Sequence, residues 1–115
     1  MAMIRNEYET KFNENMRGGD GTVKIENFLT KEELYDKGRL FGKITLEKGC
    51  SIGAHVHENE MEAFHILSGT VEFNDNGEKR IVKAGETTLT TSGQEHSIKN
   101  IGEETVEIIA LIIFK

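Results

Sequence analysis

Two histidines with a single residue between them, His55 and His57, constrain this chain more than any other feature. On an extended strand successive side chains alternate, so residues two apart share a face and their imidazoles can reach one point in space. A helix would need spacings of three or four residues, and no His-Glu-x-x-His pattern occurs. The pair therefore predicts a strand that presents nitrogen ligands to a metal ion. Acidic residues Glu58, Glu60 and Glu62 follow at once, and a second glycine-bounded stretch, Gly85 to Asn100, carries His96. Of the four histidines in the chain, three, His55, His57 and His96, fall at these spacings.

Around these residues the spacing resembles the cupin family. Its first motif runs glycine, five residues, His-x-His, three or four residues, glutamate, six residues, glycine. Gly49, His55, His57, Glu62 and Gly69 fill that pattern in its four-residue form. The second motif is matched by Gly85, Gly93, His96 and Asn100, with Thr91 where the family usually has proline. That departure concerns the stiffness of a turn and no ligand, since proline fixes its own φ and threonine does not. The resemblance selects Glu62 over Glu60 as the carboxylate ligand and leaves Glu58 and Glu60 as solvated loop residues.

What the resemblance implies is an all-β, double-stranded β-helix (jelly-roll) barrel with at most one short helix, formed by residues 22–115 behind an N-terminal arm or edge segment, 1–21. It implies one divalent transition metal per chain on His55, His57, Glu62 and His96. Imidazole and carboxylate suit Fe, Mn, Ni, Co, Cu and Zn alike, so the residues do not choose the ion. By alternation Phe64, Ile66 and Ile98 share faces with ligands and are expected to line a substrate pocket or fill the barrel beneath the metal. His65 points the other way. Cys50 is expected to be a small buried side chain, and Asn100 a structural hydrogen-bonder.

The rest of the chain agrees with a β-rich domain. Its 115 residues suffice for one core, and 12 glycines with no proline leave turns to Gly, Asn and Asp. Asn74-Asp75-Asn76-Gly77 predicts a tight hairpin, because Asn and Gly both tolerate positive φ. Thr30-Lys31-Glu32-Glu33 has capping-box spacing and predicts one or two helical turns through Tyr35, ended by Gly38. Val106 to Phe114 is apolar at both parities, so both its faces need cover, and a second subunit is the expected cover for the outer one. A homodimer follows as an expectation.

Net charge is -6, with no basic cluster interleaved with aromatics, which argues against nucleic acid as a partner. The N-terminus lacks the apolar core of a signal peptide, and the longest apolar run, Ile108 to Phe114, is far short of the ~20 residues that span a bilayer. A single cysteine cannot form an internal disulfide, and a cytoplasmic setting without membrane association is the expectation. The chain is also expected to leave no room for a DNA-binding helical domain beside the barrel.

Function is less constrained than fold, because one barrel hosts unrelated activities. The sequence first suggests a metal-dependent enzyme acting on a small polar or anionic molecule, by dioxygenase, isomerase or lyase chemistry. The alternative is a protein that binds or senses such a molecule without turning it over. No residue beyond the ligands is assigned a catalytic role. Lys43, Lys79, Lys83 and Lys99 are expected to point outward, which leaves Arg39 as the one cation able to reach the mouth.

Overall fold

A computed structural model describes residues 1–115. Ten strands account for nearly all of its regular structure: β1 (Glu9–Glu14), β2 (Thr22–Asn27), β3 (Gly38–Leu46), β4 (Ser51–Val56), β5 (Glu60–Ser68), β6 (Thr70–Asp75), β7 (Glu78–Lys83), β8 (Thr87–Thr90), β9 (Glu95–Asn100) and β10 (Val106–Phe114). They form a six-stranded sheet, β1-β2-β3-β10-β5-β8, and a four-stranded sheet, β4-β9-β6-β7. Every pairing is antiparallel. The two sheets face each other as a jelly roll, the architecture the motif spacing implied.

Alternation explains the core. On β10, Val106, Ile108, Ala110 and Ile112 are buried while the residues between them are half-buried. The inward rows of both sheets meet in one cluster that includes Val23, Ile44, Leu46, Phe64, Ile66, Val71, Phe73 and Ile98. Burying each such side chain contributes about 1.5–3 kcal/mol. Because Phe64 and Ile66 lie two and four residues beyond Glu62 along β5, they sit deeper in the barrel than the ligand row.

The hairpin at Asn76-Gly77 forms as expected, with φ of 51° and 98° joining β6 to β7 through two residues. The capping box forms too: the Thr30 amide donates to Glu33 Oε1 (2.9 Å) and the Glu33 amide to Thr30 Oγ1 (3.1 Å). No helix follows it. Tyr35 and Asp36 take left-handed φ of 55° and 56°, so the chain turns out of helical geometry after one turn and reaches β3 directly. The one short helix is instead a 3-10 turn at Met16–Gly18.

The arm holds a strand that its sequence hides. β1, Glu-Thr-Lys-Phe-Asn-Glu, pairs with β2 over its whole length, yet five of its six residues are exposed. An edge strand with no buried face carries no apolar alternation to read.

A candidate metal centre at the open end of the barrel

The histidine strand reaches its site through a bulge. Ile52 pairs with Ile98 and His55 with His96, so β4 spends three residues where β9 spends two. One extra residue at Gly53-Ala54 resets the alternation, and Ile52 and His55 both line the same cavity despite their odd spacing. His57 then follows on the face of His55, as the His-x-His spacing requires. His96 comes from β9 of the same sheet, and Glu62 from β5 of the other.

The four candidate ligands converge. His55, His57 and His96 place their Nε2 atoms 3.1 Å from one another. Glu62 Oε1 is 2.9 Å from His57 Nε2 and 3.1 Å from His96 Nε2, and all four donor atoms lie within 4.8 Å. His57, Glu62 and His96 are buried, and His55 is half-buried. Each ring is engaged from behind. His55 Nδ1 donates to the Gly53 carbonyl at 2.7 Å, His96 Nδ1 lies 3.0 Å from Thr90 Oγ1, and His57 Nδ1 faces Glu60 Oε2 at 3.5 Å. With the protons held on the outer nitrogens, three lone pairs and a carboxylate oxygen point at one another, which is stable only around a cation. Metal–nitrogen distances of about 2.1 Å at right angles would put neighbouring donors about 3 Å apart, so the set fits a divalent transition metal. Glu62 contacts His57 and His96 but not His55. An ion that takes six donors would find four of them in this set.

Electrostatics agree with that use. Burial pushes the His55 imidazole below its ordinary value, helped by the nearby His96 and His57 rings and opposed by the Gly53 carbonyl, so it stays neutral and able to ligate. For Glu62 burial pushes the carboxyl up, but hydrogen bonds and charge from His57 and His96, when those rings carry a proton toward it, outweigh burial and hold the group below the usual carboxylate range. This is a place for positive charge that a cation would fill when the protons sit on the outer nitrogens. Phe64 stacks on His96 with centroids 5.3 Å apart and an interplanar angle of 5°, and Phe73 meets the same ring edge-on.

A cavity of about 200 Å³ opens from the ligands. Its apolar wall is Met16, Ile25, Leu40, Ile44, Ile52 and Ile112. Phe64, Ile66 and Ile98, the sequence candidates for pocket lining, are not in that wall. They are fully buried below the ligands as barrel filling, because each lies further along its strand from the open end. The expectation of a mouth with only Arg39 as a cation also needs correction. Lys11 and Arg17 line it together with Arg39 and Asn27. Both come from the N-terminal arm, whose path over the barrel no local pattern announces.

Two other positions differ from their reading. Glu60 is not a free loop residue: it opens β5, pairs with Arg39 at 2.8 Å and stands behind His57. Thr91, in the place of the family's proline, is stiffened by Gln94, whose Oε1 accepts from the Thr91 amide (3.1 Å) and hydroxyl (2.9 Å). Thr90, behind His96, is a positioning residue that the sequence did not single out. Asn100 and His65 behave as expected. Asn100 is buried and its side chain bonds three backbone groups, while His65 is exposed on the outer face beside Thr87.

Comparison with known proteins points one way. The family model described as cupin domain matches residues 42–113. The oxalate-binding protein of Thermotoga maritima is 46% identical over 99 residues, covering 86% of this chain and 82% of that protein. The crystal structure of a predicted oxalate decarboxylase from Thermotoga maritima superposes with a TM-score of 0.93 at 41% identity, covering 100% of both chains. A cupin domain from Schizosaccharomyces pombe, at 19% identity, shares the fold with a TM-score of 0.75 over 91% of this chain and 69% of its own.

Proposed function

This chain belongs to the cupin family, and on that premise we propose that it binds oxalate or a similarly small dicarboxylate through one divalent transition metal held by His55, His57, Glu62 and His96. The observation that carries this reading is the composition of the cavity: a cluster of ligands at its floor and three cations, Lys11, Arg17 and Arg39, at its mouth, in a chain of net charge -6. The name of the Thermotoga maritima oxalate-binding protein, similar over 86% of this chain, supports the same ligand class.

When bound, the metal supplies a Lewis-acidic seat for carboxylate oxygens. The protein's own residues supply the rest. Ile25, Leu40, Ile44, Ile52 and Ile112 exclude water and lower the local dielectric, which strengthens each charge interaction within the cavity. The cations at the mouth draw in and neutralise an anion. Apart from the ligand set, no carboxyl, imidazole or hydroxyl group lines the cavity. That inventory favours capture over turnover, because a general acid must lie within hydrogen-bond reach of the reacting atoms.

The enzyme reading keeps one argument in its favour: a six-coordinate ion held by His55, His57, Glu62 and His96 would keep two positions for ligands the protein does not supply. Calorimetric titration of oxalate into metal-loaded protein, with formate, carbon dioxide and oxygen uptake followed in parallel, separates the two. Saturable binding with no product is the expected result. Formate and carbon dioxide release would establish turnover, and absence of binding in any metal form would defeat both.

We further propose a homodimer through the outer face of the six-stranded sheet. Phe41, Leu111, Ala63 and Leu89 form one cross-strand row there, and Leu89 and Leu67 are exposed in the single chain. Light scattering at micromolar concentration should give twice the monomer mass, and a monomer would end this reading.

A further inference from the structure

Four arginines occur in the chain, and three are paired with carboxylates: Arg5 with Glu33, Arg39 with Glu60 and Arg80 with Asp75. Arg17 has no such partner, and it lines the metal cavity with His55, His57 and Glu62. Of the other two cations at the mouth, Arg39 is committed to Glu60, and Lys11 lies 3.7 Å from Glu9. The one arginine without a carboxylate partner thus lines the cavity into which the candidate ligands open.

Its backbone is built into that place. Arg17 has φ 54° and ψ 29°, a left-handed conformation that non-glycine residues rarely hold, and Asn15 is left-handed beside it. Such geometry persists where its surroundings over-determine it. Here the Asn15 amide donates to the Gly21 carbonyl (2.9 Å) and its side chain to the Gly19 carbonyl (3.1 Å). The Asp20 amide donates to Ser51 Oγ (2.8 Å), and the Ser51 amide donates back to the Asp20 carbonyl (2.9 Å). Gly19 and Gly53 pack backbone against backbone: a Cβ on Gly53 would strike the Arg17 carbonyl, and one on Gly19 the Ser51 carbonyl. Gly53 also supplies the carbonyl that orients His55. One dipeptide bulge therefore positions both a candidate ligand and the arm that carries Arg17.

We propose that Arg17 is the specificity-determining residue of the site, its guanidinium hydrogen-bonding a carboxylate of the ligand at the cavity mouth and so favouring a dicarboxylate over a monoanion. The planar fork of arginine matches a carboxylate in two parallel hydrogen bonds, which a lysine does not reproduce. This rests on the reading that the ligand is a small dicarboxylate seated at the ligand cluster.

The test uses the full chain loaded with cobalt(II), whose visible spectrum reports events at the ion. Arg17→Asn keeps a residue that tolerates left-handed φ while removing the charge, and Arg17→Lys keeps the charge without the fork. Cobalt stoichiometry and affinity for neutral imidazole, which report the ion alone, should match the unmodified protein in both variants. Oxalate affinity should fall on the order of 10- to 100-fold in Arg17→Asn, and by less in Arg17→Lys. The preference for oxalate over acetate should shrink in parallel. Unchanged oxalate affinity in Arg17→Asn overturns the role of Arg17 while leaving the dicarboxylate reading intact. An unmodified protein that takes cobalt and imidazole but not oxalate overturns the dicarboxylate reading, and the role of Arg17 with it.

Discussion

Thr90 Oγ1 lies 3.0 Å from His96 Nδ1, both groups buried, at the back of the ring whose front faces the other candidate ligands. The hydroxyl accepts the imidazole proton on the outer nitrogen and leaves Nε2 bare. Thr90→Val keeps shape and removes that acceptor. Metal affinity, measured by competition with a chelator, should fall about 10- to 100-fold, the usual effect of losing a partner behind a ligand. Thr90→Ser should recover most of it, which a role in packing alone would not produce.

Gly53→Ala tests the link between arm and ligand strand. The added methyl meets the Arg17 carbonyl, a backbone atom that can move only if the arm lifts from β4. Oxalate binding should weaken with metal content largely retained, and trypsin should cut at Arg17 faster than in the unmodified protein. Equal proteolysis rates would show that the arm is not docked as described.

Asn100 closes the last turn. Its Nδ2 donates to the carbonyls of Leu46 and Glu104, each at 2.9 Å, and its Oδ1 accepts from the Gly102 amide at 3.0 Å. Each buried group left unpaired costs about 1–3 kcal/mol. Asn100→Ala should therefore lower the unfolding free energy by at least about 2 kcal/mol in a urea titration without altering metal stoichiometry. Asn100→Asp, which keeps the acceptor and loses both donors, should be nearly as damaging.

The Arg5–Glu33 pair fastens the N-terminal segment to the loop before β3. The Arg5 guanidinium, helped by the Thr30 amide, holds the Glu33 carboxyl at about 2, down from its ordinary 4.5. A carboxyl with a depressed folded value stabilises the fold above its unfolded value and loses that contribution as the folded one is approached. The contribution should be complete above about pH 4.5 and disappear between there and about pH 2. Melting temperature against pH for the unmodified protein and Glu33→Gln should converge across that window. Parallel curves would remove the pair from the acid response.

The candidate site was legible where side-chain parity governs it. His55 and His57 share a face because residues two apart on a strand must, and the motif spacing alone singles out Glu62 and His96. The Asn76-Gly77 turn was legible for a similarly local reason. What stayed hidden depends on the path of the chain. β1 buries no face, so its sequence shows no alternation, and with it went Lys11 and the approach of Arg17 to the cavity. The capping box at Thr30 and Glu33 formed without its helix, since local signals start a turn but the demands of reaching β3 end it. For Phe64, Ile66 and Ile98 alternation gave the face and left two depths open, pocket lining or barrel filling; they are buried as filling, because alternation fixes direction and says nothing of distance from the rim.

The extra residue at Gly53-Ala54 gives β4 two independent phases. Up to Ile52 the strand keeps time with the core, and from His55 onward it keeps time with the ligands. Changes in one half need not propagate into the other. Barrel packing can drift while the imidazoles hold their aim, and the chemistry at the rim can be retuned without refitting the interior. Removing that single residue would leave both histidines facing inward, two and four positions after Ile52, but would erase the bulge against which Arg17 and Gly19 pack and whose carbonyl holds the His55 ring.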